Sequence, residues 1–296
     1  MTVVSCPIDE QYVNPLFEVF DGGDLILSSY RDIEDDRTTL QIFLVDPADA
    51  PRAAEALAAA GRIVGAELSP AVGTIPDEDW KLAYRKHFKT ESISPRLAIV
   101  PEWELQSFVP APGQKAIVLD PGMAFGTGQH ATTRACLKFI DGLAAEDADR
   151  SFLDVGCGSG ILSIAAALEG FRSVSGFDID PDAVQNANEN AARNGLSLRF
   201  FRGDLSGSST LADVTPLSPE RFAADVVAAN VLGPILIRFA KEIAALVRPG
   251  GRLILSGILD ELYPEVAAAY APLGFGELAS DLIGEWRTGL FASGYR

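Results

Sequence analysis

One stretch constrains this chain more than any other: Phe152-Leu153-Asp154-Val155-Gly156-Cys157-Gly158-Ser159-Gly160-Ile161-Leu162. Phe152, Leu153 and Val155 read as a buried strand, and residues 161–168 as an apolar helix. Between them, Gly156, Gly158 and Gly160 remove the side chains that would hold a ligand off the backbone. A strand that turns through glycines into a helix is where open α/β folds bind nucleotide-like ligands, because the helix N-terminus presents unpaired N–H groups.

Two acids narrow the ligand. The dinucleotide fingerprint is Gly-x-Gly-x-x-Gly, with an acid about 20 residues further on. Here the third glycine falls one position early, and Asp154 stands two residues before the first. A pyrophosphate disfavours a carboxylate at that place, whereas a ligand with an ammonium group is suited by it. Asp178 closes the next hydrophobic strand, residues 174–177, where it can accept both hydroxyls of a ribose; Ile179 follows it. S-adenosylmethionine joins an adenosine to an α-amino acid and meets both conditions. Asp154 would then orient the turn or help to hold the amino group. The run acid-x-Gly-x-Gly-x-Gly resembles the first motif of the class I S-adenosylmethionine-dependent methyltransferases. That resemblance implies a Rossmann-like α/β domain with Asp154, Gly156, Gly158, Gly160, Asp178 and Ile179 at the cofactor.

The rest of the sequence bounds this reading. A chain of 296 residues holds one large domain and a small one, and 48% hydrophobic residues suffice for a core. No apolar run approaches the roughly 18 residues that span a bilayer. The first residues lack the basic and apolar segments of a signal peptide, so a cytoplasmic enzyme without membrane partners is expected. Cys6, Cys136 and Cys157 are widely spaced and only His87 and His130 accompany them, which supports neither a disulfide framework nor a metal site. A net charge of −17 makes bare nucleic acid a poor partner and a basic protein a better one, although it also serves plain solubility.

Three regions follow from composition and periodicity. Residues 1–75 carry many acids and only Arg31, Arg37, Arg52 and Arg62 as bases. Strands over 24–30 and 38–45, a helix from residue 49 to Gly61 and a strand over 63–68 fit a small α+β domain of ferredoxin-like type. It shows no catalytic constellation and reads as a recognition module. Residues 76–92 read as a linker helix whose Trp80, Tyr84, His87 and Phe88 face a neighbour. Residues 93–296 form the α/β domain: a mostly parallel sheet with helices on both faces, ended by an antiparallel hairpin over 277–283 and 286–292. Within it, helices are expected over 134–143, 181–194, 235–247 and 264–270. The loop Ala124-Phe125-Gly126-Thr127-Gly128-Gln129-His130-Ala131-Thr132-Thr133 is rich in glycine and hydroxyls and is placed to cover the cofactor.

That loop, the glycine turn and Ala228-Ala229-Asn230-Val231-Leu232 together resemble the ribosomal protein L11 methyltransferase family. Asp79-Trp80 through Phe88, and Val100-Pro101-Glu102-Trp103, are similar to its inter-domain helix and the segment after it. The resemblance runs from about residue 77 to the end. It implies N-methylation of ribosomal protein L11 on its N-terminal α-amine and lysine ε-amines. The small domain would bind L11, and the linker helix would let it swing. Phe125, Gly126, Thr127, Thr133, Gly156, Asp178 and Asn230 would contact S-adenosylmethionine. Gln129 stands where the family usually has Thr, Ala131 where it has Pro, and the run after Asn230 is one residue shorter. Asn230 would orient the acceptor amine. His130, the sole histidine of this region, is either the base or a hydrogen-bonded loop residue. Two other readings stay open here: a class I enzyme acting on nucleic-acid adenine, another protein or a small amine, and a cofactor-binding module without catalysis.

Overall fold

The computed structural model describes residues 2–20, 25, 27–31, 37–44, 46–74, 88–119, 130–207 and 213–294. The chain divides into two compact units, residues 1–87 and 88–296. The expected linker helix falls largely on residues 75–87, outside the described residues.

In the first unit, β1 (Thr2–Ile8), α1 (Val13–Phe20), β2 (Leu27–Arg31), β3 (Thr38–Leu44), α2 (Ala50–Val64) and β4 (Ala71–Thr74) follow in order. The sheet runs β2-β3-β1-β4 with every pair antiparallel, the split β-α-β arrangement. Val4, Cys6, Leu16, Leu40, Ile42 and Leu57 form its core. Two expectations are corrected. The helix does not stop at Gly61, and residues 63–68 are not a strand. Gly61 is there for space, since a Cβ would lie 2.6 Å from Leu68 Cγ and 2.8 Å from the Ala66 carbonyl oxygen. The helix ends instead at Gly65, whose φ of 77° is the left-handed cap that favours glycine.

The second unit opens with a small sheet of β5 (Glu91–Ser92), β6 (Leu97–Pro101) and β7 (Lys115–Leu119). Then come α3 (Ala131–Glu146), β8 (Ser151–Val155), α4 (Ile161–Glu169), β9 (Ser173–Asp178), α5 (Pro181–Arg193), β10 (Arg199–Asp204), β11 (Thr215–Pro216), α6 (Pro219–Phe222), β12 (Ala224–Asn230), α7 (Gly233–Arg238), α8 (Ala240–Ala245), β13 (Val247–Leu259), α9 (Tyr263–Tyr270), β14 (Phe275–Ile283) and β15 (Trp286–Ser293). The large sheet runs β11-β10-β9-β8-β12-β13-β15-β14. It is parallel from β11 to β13 and antiparallel through β15 and β14, as expected for a Rossmann-like domain with a terminal hairpin. Strand β8 is buried throughout, which explains its near-continuous apolar sequence. The helix expected over 235–247 is two helices broken at Phe239, and β13 begins at Val247. The segment Pro249-Gly250-Gly251 therefore does not end a helix. It bulges from β13, where the register with β12 jumps from Ala224↔Val247 to Val226↔Arg252. No helix among the described residues is long and apolar enough to cross a membrane.

Side chains join the small sheet to the domain. Glu169 is buried and takes Arg96 Nη2 at 2.9 Å and Lys115 Nζ at 3.4 Å. Asn194, just past α5, lays its amide against the outer edge of β7. Its Oδ1 accepts from Val118 N at 2.8 Å and its Nδ2 donates to Val118 O at 2.7 Å. Asn194→Ala leaves both Val118 groups without these partners. It is expected to destabilise the fold by about 1–3 kcal/mol, read as a lower urea midpoint at unchanged slope.

Candidate active site

Strands β8 and β12 lie side by side, while the chain leaves β8 toward β9 and returns to β12 on the other side. This is the topological switch point, where open α/β sheets bind ligands beyond the carboxyl ends of the strands. A cavity of about 630 Å³ lies there. Gly156 and Gly158 line it from the end of β8, Asp178 and Ile179 from β9, Gly203, Asp204 and Leu205 from β10, and Asn230, Val231 and Leu232 from β12. His130, Thr132, Gly257 and Trp286 complete it on the side of α3 and the antiparallel strands.

The glycine turn is fixed from three directions. Cys157 N donates to Phe177 O at 2.9 Å, and Gly158 N donates to Asp178 Oδ2 at 3.0 Å. Asp178 Oδ1 accepts from Asp180 N at 3.1 Å, so each of its carboxylate oxygens keeps acceptor capacity for a ligand. From beneath, Asp154 Oδ2 accepts from Ser163 N at 3.2 Å and from Ser163 Oγ at 2.9 Å. Asp154 is 1% exposed, and burial pushes its carboxyl up to about 7. Of its two expected roles, it occupies the turn-orienting one, and it is not among the residues lining the cavity. Gly160 is not there either. A Cβ on it would meet Ala187 Cβ and Phe200 Cζ, both at 3.0 Å, so its task is close packing of α4 against α5 and β10.

On the other wall, His130 is the N-cap of α3. Its Nδ1 lies 2.8 Å from Thr132 Oγ1 and accepts from Thr132 N, and its ring stands edge-on to Trp286 with centroids 5.0 Å apart. Buried Ser256 and Thr288 pair their hydroxyls at 2.6 Å, and Ser256 Oγ donates to Thr132 O at 3.3 Å, which anchors this corner. Thr133 is fully buried, and its Oγ1 accepts from Asn230 Nδ2 at 3.4 Å. Asn230 Oδ1 is buried and has no hydrogen-bond partner among the described residues. A buried acceptor left unpaired is costly, which marks this atom as one that a ligand would satisfy. Phe125, Gly126 and Thr127 lie outside the described residues.

The structure thus brings together Gly156, Gly158, Asp178, Ile179, Asn230 and His130, with Thr133 behind Asn230. Sequence reasoning missed Asp204, Gly257 and Trp286. Asp204 carried a signal: it ends β10 two residues beyond Arg202, the register partner of Asp178. The buried thiols are poor nucleophiles, because burial pushes Cys136 up to about 12 and raises Cys157, helped by Asp154 and Asp178.

Comparison with known proteins identifies one family. A family model described as ribosomal protein L11 methyltransferase (PrmA) matches residues 26–291. A ribosomal protein L11 methyltransferase of Geobacter sulfurreducens is 46% identical over 218 residues, covering 74% of this chain and 67% of its own length. One of Azotobacter vinelandii is 47% identical over 199 residues, 67% of this chain and 63% of its own length, so the chain spans less than two thirds of that relative. Among solved structures, a ribosomal protein L11 methylase of Lactobacillus delbrueckii subsp. bulgaricus superposes with a TM-score of 0.60 at 31% identity, over 70% of this chain and 99% of that one.

The buried carboxyl of Asp154 has a consequence for stability. An acid whose pKa is raised by folding binds its proton more tightly in the native state. Its contribution is full below the unfolded value of about 4 and is lost as pH rises through the folded one. Stability is expected to fall between that value and about 7, the folded value. Asp154→Asn keeps an acceptor for Ser163 and should flatten this slope in urea titrations run across that pH interval.

Proposed function

Because this chain belongs to the ribosomal protein L11 methyltransferase family, we propose that it transfers methyl groups from S-adenosylmethionine to amino groups of ribosomal protein L11, the N-terminal α-amine and lysine ε-amines. The observation that carries the proposal is that Asn230, whose buried Oδ1 has no hydrogen-bond partner among the described residues, lines the same cavity as the glycine turn and Asp178.

The residues fit the cofactor. The cavity falls within the roughly 300–1,000 Å³ usual for small-molecule sites. Asp178 has acceptor capacity left for the ribose hydroxyls, Ile179 and Leu205 offer apolar surface beside them, and the turn at Gly156 and Gly158 lets the ligand lie against backbone. When bound, S-adenosylmethionine supplies an electrophilic methyl group on a sulfonium, which a nitrogen displaces in line.

The chain's part is to present that nitrogen with its lone pair free. A lysine ε-amine has a pKa of about 10.4 and an α-amine about 8, so both arrive mostly protonated at neutral pH. The apolar walls formed by Val231, Leu232, Ile235 and Trp286 disfavour the ammonium by desolvation. Asn230 Oδ1 accepts an N–H of the neutral amine and so directs the lone pair away from itself, toward the methyl group. His130 serves as cap and wall rather than base, since its Nδ1 already holds the head of α3.

We assign L11 recognition to a small domain over residues 1–75, joined through 76–92 to a catalytic domain over 93–296. The net charge of −17 suits a basic substrate protein and gives nucleic acid no direct part. We assign the reaction to the cytoplasm, which suits a ribosomal substrate.

Intact-mass analysis of purified L11 after incubation with this protein and S-adenosylmethionine is expected to show whole-methyl increments. No increase, with the cofactor shown to bind by calorimetry, would sink the assignment. His130→Ala is expected to lower the rate while leaving the shape of the pH–rate profile unchanged; loss of one limb of that profile would instead make His130 the base.

A further inference from the structure

Val231 is gripped from two sides by glycines distant in sequence. On one side is Gly156, with φ 68°, where a Cβ would lie 2.6 Å from Val231 Cγ1. On the other is Gly257, with φ 81°, where a Cβ would lie 2.3 Å from the Val231 carbonyl oxygen and 2.7 Å from its carbonyl carbon. The second contact is with backbone, which cannot swing aside as a side chain can.

Gly257 reaches this place because β13 is bulged there. Leu255 pairs with Gly289 and Ile258 with Arg287, so β13 holds one residue more than β15 across that interval. The residue before Gly257, Ser256, is the register partner of Asn230 on β12. The bulge therefore begins level with Asn230 and presses on the next peptide along. Gly156, Asn230, Val231 and Gly257 all line the cavity.

We infer that Gly257 is a positioning residue for the acceptor amine: its bulge, with Gly156 opposite, seats the Val231 backbone and thereby sets where Asn230 stands. This rests on the amine-methyltransferase reading of the site. It adds a residue on β13 that does not touch the reacting atoms but fixes the group that holds one of them.

The decisive comparison is Gly257→Ala against Gly250→Ala. Both glycines lie in β13 with nearly equal left-handed φ, 81° and 77°, but a Cβ at Gly250 meets nothing within 4 Å. Backbone strain is therefore matched, and only Gly257→Ala pushes Val231. With L11 as substrate, Gly257→Ala is expected to lower kcat about tenfold or more, because small misplacements of reacting groups are costly. KM for L11 and Kd for S-adenosylhomocysteine should stay within about threefold of the parent, and Gly250→Ala should keep its kcat. Equal losses in the two variants, or a loss confined to cofactor affinity, would overturn the inference. If Gly257→Ala does not fold, Val231→Ala removes the contact opposite Gly156 and is expected to lower kcat with cofactor affinity kept; an unchanged kcat overturns the inference. If the parent protein transfers no methyl to L11, the functional reading fails, and the seat is judged alone. The side-chain amide resonance of Asn230 should then move in Gly257→Ala and stay in Gly250→Ala, and identical spectra would refute the seat.

Discussion

The buried carboxyl of Asp154 is the point on which the candidate site depends. A turn made of glycines has no side chains with which to hold itself, so its shape must be imposed from outside. Asp154 does this from below by accepting from the backbone and hydroxyl of Ser163, in the first turn of α4. The helix is thereby fixed on β8, beneath the glycine turn. Asp178 then holds the turn from the side through Gly158 N. The cost is a carboxyl removed from water, and its raised pKa is the measure of that cost. The two acids near the turn thus divide their work: one holds the turn to the helix and the other lines the cavity.

The opposite end of the same sheet follows a different logic. Asp225, at the start of β12, accepts from Ser151 N and Oγ and pairs with Arg172 and Arg248. Burial alone would raise its carboxyl, but hydrogen bonds from Ser151 and Arg248 outweigh this and hold it down to about 2. Its neighbours are satisfied ion pairs rather than an open acceptor. Two residues of one strand, Asp225 and Asn230, thus mark the two ends: the first closes its contacts within the protein, and the second keeps an oxygen for something else. An α/β sheet of this kind can spend one edge on stability and leave the other to loops that carry chemistry.

How far the sequence could be read depended on how local each feature was. The strand-turn-helix at 152–162, the acid at the end of β9 and the closing hairpin were legible because periodicity and glycine spacing act over neighbouring residues. Strand β1 was missed because Ser5 and Pro7 weaken its alternation, and pairing with β3 and β4 supplies what its own pattern lacks. The helix end at Gly65 was misplaced because Gly61 looks like a stop, while its actual reason, the approach of Leu68, is tertiary. The same holds in the site. Gly160 reads as part of a ligand cradle until Ala187 and Phe200 are seen behind it, and Trp286 reads as a strand residue until His130 stands against it.

The amide of Asn194 has a consequence beyond the two bonds it makes. Strand β7 ends the small three-stranded sheet, and an end strand offers backbone groups to which another chain can add itself. Asn194 fills that position at Val118 with a donor and an acceptor in the spacing a neighbouring strand would use. A single side chain thus impersonates the missing strand. Without it, the Val118 N–H and C=O would lack these partners on an end strand.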